Sequence, residues 1–327
     1  MKLSQKVWSW LFAVSTAALV PGYAAAQAWP AKPIRVIVSI GPGSATDTAA
    51  RIFADIASKS IGQSMVVENV VGAAGAIGAQ AAARAAPDGY AIYVAPASTL
   101  ASNPYIYKSL TYNAFKDFEA IGMLVDTTPL SVSVNPELPA NSIQELVNLA
   151  KLQPGKLSYA VDISSGFQII IGRLLKFRGG IDMVEVPYKV GAQAVQDGVA
   201  GRVEVVVSSL APIGGMVRAG KLRLLAVTSD KRFPGWEQVP AVAETFPGYR
   251  VDGWFALVGP TGMPQEAVSR LNRAVSDYVN TPDVGKKLLA FAAAITRHYT
   301  VAETSKFIRD EQAYWAKAIK DVNFIPE

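Results

Sequence analysis

Short apolar runs typical of β-strands alternate with helical patterns along most of this 327-residue chain. The strand-like runs lie at 33–40, 64–70, 90–96, 129–135, 156–161, 183–188, 203–209, 222–228 and 250–258. The helical patterns lie at 46–60, 75–86, 142–152, 166–178, 191–200 and 212–219, and the last third of the chain is mainly helical. Strands that alternate with helices favour parallel sheets covered by helices, so the sequence predicts an α/β fold.

Local side-chain chemistry marks three helix starts. Ser142 lies three residues before Glu145, the spacing of a capping box, in which a hydroxyl and a carboxylate bind free backbone N–H groups. Thr300 and Glu303 repeat that spacing. Pro282 suits the first position of another helix. We therefore expect helices to begin at these three points.

The N-terminus has the pattern of a cleavable export signal. Two lysines precede the apolar run Val7–Val20, and small residues follow it. A transmembrane helix needs about 20 apolar residues, so this run favours a signal peptide over residues 1–28. Cleavage after Ala26 or after Ala28 satisfies the small-residue rule equally well. We predict a soluble, periplasmic mature protein; an uncleaved membrane anchor is the alternative.

Composition excludes several classes of site. The chain has no Cys and one His, so it can form neither disulfides nor the usual His/Cys metal clusters. The formal charge of +5 includes the two lysines of the leader, and the other basic residues are dispersed. Dispersed charge is not the footprint of a nucleic-acid-binding protein, so no nucleic-acid partner is expected.

Enzyme signatures are also absent. The sequence has no G-x-S-x-G elbow of a serine hydrolase. Gly215 to Lys221 has the glycine spacing of a phosphate-binding loop, but Leu222 stands where that loop requires Ser or Thr. We therefore expect no enzyme activity, no metal and no cofactor.

The segment from Pro33 to Ser60 reads as a strand (PIRVIVSI), a tight loop (GPGSATD) and a helix. The first N–H groups of such a helix, here those of Gly43 to Ala45, lack intrahelical partners and point beyond the carboxyl end of the strand, where they can bind an anion. The alternative is that Gly41 and Gly43 only permit a sharp turn. The unit therefore predicts an anion-binding loop, with the simple turn left open.

The mature chain is long enough for two domains, yet it contains no flexible linker. We therefore expect two strands, Pro129–Asn135 and Arg250–Leu257, to cross between them. This predicts a discontinuous first domain, 29–128 plus 252–327, and a second domain, 129–251. Loops at the carboxyl ends of the strands would then face each other across a cleft.

Nine segments in order resemble one known family. They are WPAKPIRVIV, GPGSATD, VVENVVGAAGAIGA, AAPDGY, SNPYIYKSLTYN, LAKLQPGKLSYA, VPYKVGAQAVQD, VRAGKLRLLAVTS and VDGWFALVGPTGMP. The chain resembles the Bug proteins, periplasmic receptors of tripartite tricarboxylate transporters. The resemblance implies a two-lobed Venus flytrap of type II that closes on a small carboxylate and delivers it to transporter membrane subunits.

The chain departs from the family pattern at the loops expected to touch ligand. The family's Pro-Phe-x-Pro-Gly-Gly loop is replaced by Ser39–Ser44, and its Gly-Asn-Gly-Thr-Ser loop by Asp162–Gly166. The turn after Val-Pro-Tyr-Lys reads Val190–Gln193 instead of Gly-Ser-Ala-Pro. The resemblance therefore implies the frame of the site but not the identity of the ligand.

Loops at the predicted strand ends supply the candidate ligand-binding residues. Hydroxyls and backbone N–H groups at two opposed helix starts, one after the loop that contains Gly43 and one after Ser164–Gly166, would suit a molecule with a carboxylate at each end. Asp47 is expected to stabilise its helix or tether its loop, because a carboxylate would repel an anionic ligand. The candidates are Ile40, Gly41, Gly43, Ser44, Ala45, Asp47, Ser98, Thr99, Ser164, Ser165, Gly166, Phe167, Gln168, Tyr188, Gly191, Ala192 and Ser208, the last beside Ser209.

The sequence thus predicts a monomeric periplasmic protein that binds a small di- or aromatic carboxylate and works with transporter membrane subunits. Two alternatives stay open. One is an exported hydrolase with an atypical Ser or Asp site, and the other is a ligand-binding partner of a signalling receptor.

Overall fold

The computed structural model of the protein describes residues 29–162 and 167–326. Its strands are β1 Ile34–Val38, β2 Met65–Asn69, β3 Ala91–Pro96, β4 Phe118–Val134, β5 Ser158–Asp162, β6 Val184–Tyr188, β7 Val205–Ser209, β8 Arg223–Val227 and β9 Asp252–Pro260. Its α-helices are α1 Ala45–Ile61, α2 Ala76–Ala83, α3 Asn103–Ile106, α4 Ile143–Leu152, α5 Phe167–Gly179, α6 Gly191–Val199, α7 Leu210–Arg218, α8 Val242–Thr245, α9 Gln265–Asn280, α10 Pro282–Leu289 and α11 Val301–Asp321. A 3-10 turn lies at Ala73–Gly75, and a π-helical turn lies at Ser98–Ser102.

Local chemistry accounts for the bounds of α1. The Ser44 hydroxyl accepts a hydrogen bond from the Asp47 N–H at 3.2 Å, which caps the start of the helix. Gly62 ends it with a left-handed φ of 80°, a conformation that costs glycine little. Residues three and four apart form the buried face: Ala49, Ala50, Phe53, Ala54 and Ala57.

The three expected helix starts are present. The Ser142 hydroxyl accepts from the Glu145 N–H at 3.1 Å. The Glu145 carboxylate, however, accepts from the N–H of Asn141 and not from that of Ser142. Thr300 and Glu303 form the complete box, with bonds of 2.9 and 3.2 Å. The third helix, α10, begins at its proline. The three predicted helix starts are therefore confirmed, and in one of them the carboxylate binds the N–H one residue before the expected one.

The strands form two connected sheets. In the first, β2, β1 and β3 are parallel, and β9 runs antiparallel between β3 and the first part of β4. In the second, β7, β5 and β6 are parallel, and the last part of β4 runs antiparallel between β7 and β8. The α/β class is confirmed, but the expected parallel sheets are mixed, because β4 and β9 run against their neighbours.

β4 passes from one sheet into the other. Pro129 still pairs with Asp252 of β9, whereas Leu130 already pairs with Ser209 of β7. The sequence predicted a strand only from 129, but β4 begins at Phe118. Its earlier part was missed because 120–125 is buried throughout and lacks strand-like alternation. The two-domain boundaries stay a prediction, which the passage of β4 between sheets supports.

One hydrophobic core extends across both sheets. Tyr93 and Trp254 enter it from the first sheet, and Val132 and Val207 enter it from the second. Trp315 joins from α11, which packs against β4 and α5. The C-terminal helix therefore ties together the two sheets whose loops surround the candidate site.

Candidate ligand-binding site

A cavity of about 430 Å³ lies where the two sheets meet. Its walls come from the β1–α1 loop, the end of β3, the crossing parts of β4 and β9, the starts of α5 and α7, and the segment after α10. The lining residues are Ile40, Gly43, Ala45, Thr46, Pro96, Ala97, Ser98, Thr128, Pro129, Leu130, Gln168, Ser209, Leu210, Ala211, Gly253, Trp254, Phe255, Phe291 and Ala292.

Asp47 holds the β1–α1 loop in place. Its carboxylate accepts hydrogen bonds from the Gly43 N–H at 2.9 Å, from the Asn69 amide at 2.9 Å and from Arg51 at 3.0 Å. Burial alone would raise the pKa of Asp47, but these three donors hold it below its usual value. Asp47 therefore tethers the loop, as the sequence suggested, and does not line the cavity.

This tether changes which N–H groups can face a ligand. The sequence predicted that the N–H groups of Gly43, Ser44 and Ala45 would all be available. Instead Gly43 donates to Asp47, and Ser44 donates to the Gly41 carbonyl at 3.3 Å. No residue of the described loop accepts a hydrogen bond from the Ala45 N–H or the Thr46 N–H, so these two amides, and not those of Gly43 and Ser44, could face a ligand.

Two neighbouring hydroxyls follow β3. Ser98 lines the cavity, whereas the Thr99 hydroxyl is buried and donates to the Pro96 carbonyl at 3.0 Å. The Tyr93 hydroxyl bridges Thr99 at 3.0 Å and Ser39 at 2.7 Å. Burial raises the pKa of Tyr93 to about 12, although the hydrogen bonds that its hydroxyl shares with Ser39 and Thr99 oppose the rise. The neutral phenol fixes the wall behind Ser98.

The second wall is formed by α5 and α7. Gln168, in the first turn of α5, lines the cavity. Ser209 ends β7, and Leu210 and Ala211 begin α7, whose first N–H groups lack intrahelical partners. The starts of α1 and α7 thus reach the cavity from different sheets, and both carry the partial positive charge of a helix N-terminus.

The crossing strands and the segment after α10 complete the enclosure. The Thr228 hydroxyl accepts from the Leu130 N–H at 2.9 Å and donates to the Val251 carbonyl at 2.7 Å, which joins β4 to the residue before β9. Phe291 is 38% exposed and faces the cavity. Backbone bonds between Thr127 and Ala294 hold its segment against β4.

The cavity offers neutral hydrogen-bonding groups and apolar surface. Its hydroxyl and amide side chains are Thr46, Ser98, Thr128, Gln168 and Ser209. Within the described part of the chain, no acidic or basic side chain lines it. Neutral donors can bind an anion without a cation that would need its own partner in the empty site. The arrangement therefore suits a small anion with an apolar body.

The structure brings together five of the predicted site residues at the cavity: Ile40, Gly43, Ala45, Ser98 and Gln168. Eight others do not line it: Gly41, Ser44, Asp47, Thr99, Tyr188, Gly191, Ala192 and Ser208. Ser164, Ser165 and Gly166 lie outside the described residues, and Phe167 begins α5. Ligand binding by any of these residues stays a prediction.

Two of the residues away from the cavity have clear structural surroundings. The Tyr188 hydroxyl donates to Asp197 at 2.8 Å, across the turn that leads into α6. The side chain of Ser208 points to the opposite face of the sheet from that of Ser209, because successive side chains of a strand alternate. The Ser208 carbonyl accepts a hydrogen bond from the Ser131 hydroxyl at 3.0 Å.

Sequence reasoning missed part of the lining. It gave no ligand role to 128–130, 253–255, Phe291 or Ala292. Residues 129–130 and 253–255 belong to strands that were expected to cross between domains. Such strands lie near a cleft, so this expectation could have identified them. The sequence around Phe291 carries no such signal, because its position depends on pairing with β4.

Comparison with known proteins identifies the family. A family model described as the tripartite tricarboxylate transporter family receptor matches residues 49–324. The protein BugT of Bordetella pertussis is 32% identical over 300 residues, which cover 90% of this chain and 91% of BugT. The chain belongs to the tripartite tricarboxylate transporter receptor family. The resemblance to Bug proteins is confirmed.

Solved structures confirm the fold. The periplasmic binding protein BugD is 27% identical, with a TM-score of 0.74, 91% of this chain covered and 100% of BugD. A protein of R. palustris solved with adipate is 30% identical, with a TM-score of 0.78 and the same coverage. MatC of Rhodopseudomonas palustris, solved with malate, is 26% identical, with a TM-score of 0.73, 89% of this chain covered and 99% of MatC. This chain therefore has the two-lobed periplasmic-binding-protein fold.

Two further observations concern residues 29–162 and 167–326 only. No helix there is long and apolar enough to cross a membrane. No group of three or more His, Asp or Glu side chains there could hold a metal ion. The predicted signal peptide lies outside these residues.

Proposed function

We propose that this receptor is a periplasmic solute-binding protein that holds a small carboxylate between its two sheets and delivers it to transporter membrane subunits. One observation carries the proposal: the starts of α1 and α7 reach one neutral, partly apolar cavity from different sheets. Helix starts attract carboxylates, and two of them suit a ligand with an acidic group at each end. The relatives solved with adipate and malate bind such molecules.

The same cavity supports binding without turnover. Its lining in the described residues contains no His, Lys, Asp or Glu that could serve as a general base beside Ser98 or Ser209. We therefore propose that the protein is not an enzyme and releases its ligand unchanged. Receptor families of this kind act with membrane subunits, and the export signal predicted for residues 1–28 is consistent with a periplasmic location.

Thermal unfolding with matched ligands tests the proposal. Mono- and dicarboxylates, including adipate, malate and benzoate, are compared with the corresponding carboxamides. At least one acid should stabilise the protein saturably, by about 2.7 kcal/mol at a hundredfold excess over its dissociation constant. Stabilisation by carboxamides or sugars but by no acid would contradict the proposal, and chemical conversion of the bound acid would favour the hydrolase alternative.

A pair of variants locates the site. Ser98→Asp places a carboxylate inside the cavity and should abolish acid binding through like-charge repulsion and loss of a neutral donor. Ser269→Asp adds the same charge on the exposed face of α9 and should leave binding unchanged. Equal affinities for the two variants would place the ligand elsewhere.

A further inference from the structure

Gln168 carries a buried amide oxygen without a partner. The side chain is 8% exposed and lines the cavity from the first turn of α5. Its Oε1 atom is buried and accepts no hydrogen bond from any residue that the structure describes. A buried acceptor that has lost its water is unfavourable unless a donor replaces that water. A bound molecule is therefore the natural source of the missing hydrogen.

Gln312 shows how a structural glutamine of similar burial behaves. It is 7% exposed on α11 and lies outside the cavity. Its amide donates to the Leu100 carbonyl at 2.8 Å and to the Ala114 carbonyl at 3.4 Å, which links α11 to the turns after β3. Gln168 makes no comparable bond among the described residues, so their packing does not explain its amide.

A carboxylate alone cannot satisfy Oε1. Ionised carboxylate oxygens only accept hydrogen bonds, and Oε1 likewise only accepts them. A ligand that bonds Oε1 directly must therefore present an O–H or N–H group beside its carboxylate. A cationic ammonium group is disfavoured, because no acidic side chain among the described residues lines the cavity to pair with it. A neutral hydroxyl meets both conditions.

We infer that the receptor selects hydroxy acids, with Gln168 accepting a hydrogen bond from the ligand hydroxyl while the helix starts and neutral donors bind the carboxylate. This inference rests on the proposed function. An analogue without the hydroxyl should bind more weakly, because it leaves Oε1 buried and without a hydrogen-bond donor. Gln168 is thus a specificity-determining residue.

Calorimetric titration of acid pairs tests the inference. The pairs are succinate and malate, glutarate and 2-hydroxyglutarate, and benzoate and 3-hydroxybenzoate. For at least one pair the wild type should bind the hydroxy acid about tenfold or more tightly than its partner. In Gln168→Met, which keeps a long side chain but no amide, that preference should fall to about one, because the hydroxy acid loses its acceptor and the unhydroxylated acid no longer leaves a buried acceptor unpaired.

The control is Gln312→Met, which removes a buried amide outside the cavity and should retain the hydroxyl preference even if it lowers the melting temperature. Gln168→Ala repeats the test if the Met variant fails to fold. Equal binding of both members of every pair by the wild type would overturn the inference and leave the carboxylate receptor standing, as would a preference that survives in the Gln168 variants. Failure of every acid to bind the wild type would overturn the proposed function, and this inference with it.

Discussion

Ser98 and Thr99 are consecutive hydroxyl residues with different surroundings. Ser98 lines the cavity, whereas the Thr99 hydroxyl is enclosed by Tyr93 and the Pro96 carbonyl. A hydroxyl next to the cavity can exchange water for ligand, but one that already has two buried partners has little to offer a ligand. Burial thus divides two residues that the sequence presents as equivalent.

Ser98→Ala and Thr99→Val should therefore have opposite effects. Ser98→Ala should weaken binding of the best acid by roughly 1.5–3 kcal/mol, the range for hydrogen bonds to charged groups, with little change in stability. Thr99→Val keeps the side-chain shape but leaves buried partners unpaired, so it should lower the free energy of unfolding by about 1–3 kcal/mol and spare affinity. Calorimetry and urea unfolding measure the two quantities. A loss of affinity confined to the Thr99 variant would contradict this division of roles.

At the scale of elements, the start of α1 is fixed by a carboxylate whose partners come from three places. Asp47 accepts from Gly43 in the loop, from Arg51 one turn along the helix and from Asn69 at the end of β2. The negative charge also lies at the positive end of the helix dipole. Loop, helix and neighbouring strand are therefore held in one arrangement, which determines which amides reach the cavity.

Asp47→Asn should lower the free energy of unfolding at pH 7 by about 1.5–3 kcal/mol, because charge-assisted bonds are lost. The donors lower the pKa of Asp47 in the folded state, so its contribution is complete above the unfolded value of about 3.9 and disappears as pH falls through the folded value. The difference between wild type and variant should therefore shrink from pH 7 to pH 3. Urea unfolding at the two pH values measures it.

Asp55→Asn provides the matched control on the same helix. The Asp55 side chain is 71% exposed and pairs with Lys59 at the surface, at 3.0 Å. Such pairs contribute about 0–1 kcal/mol. If Asp55→Asn destabilises the protein as much as Asp47→Asn, the tether is not what holds the loop.

The elements also show where sequence patterns succeed. Helix starts at Ser142, Thr300 and Pro282 were predicted because a cap is a contact between residues three or four apart. The first part of β4 was missed, and so was the reach of Phe291 into the cavity. Both depend on burial or pairing with strands far along the chain, which no local pattern reports.

At the scale of the whole molecule, the first residues of β9 lie where the two sheets join. The Arg250 guanidinium pairs with Glu311 of α11 at 2.6 Å, and the Trp254 ring nitrogen donates to the same carboxylate at 2.9 Å. Between them, Asp252 has a buried carboxyl oxygen without a partner in the described chain. Burial raises the pKa of Asp252 well above its usual value, and the nearby Glu311 and Asp230 add to this.

Arg250 and the Thr127 hydroxyl oppose that rise in the pKa of Asp252 but do not outweigh it. An acid with a raised folded pKa contributes stability below its unfolded pKa of about 3.9, and loses it as pH rises through the folded value. Asp252→Asn removes this loss. The free energy of unfolding of Asp252→Asn minus that of the wild type should therefore increase from pH 4 to pH 8.

Urea unfolding across that pH range measures the difference for the Asp252 variant. Asp277→Asn, on the exposed face of α9, is the control and should show the same pH dependence as wild type. A constant difference between wild type and Asp252→Asn from pH 4 to pH 8 would mean that Asp252 is not the group that links stability to pH.

The sequence by itself determined the α/β class, the helix starts, the family, and five residues at the cavity, because short-range patterns and ordered motifs carry that information. The tertiary structure decided which groups face the cavity. Ser209 rather than Ser208 lines it because of strand parity, and Ser98 rather than Thr99 because of burial around Tyr93. Pairing across the junction brings 128–130 and 253–255 beside the cavity. These outcomes depend on contacts between distant parts of the chain, which form only when the two sheets are joined.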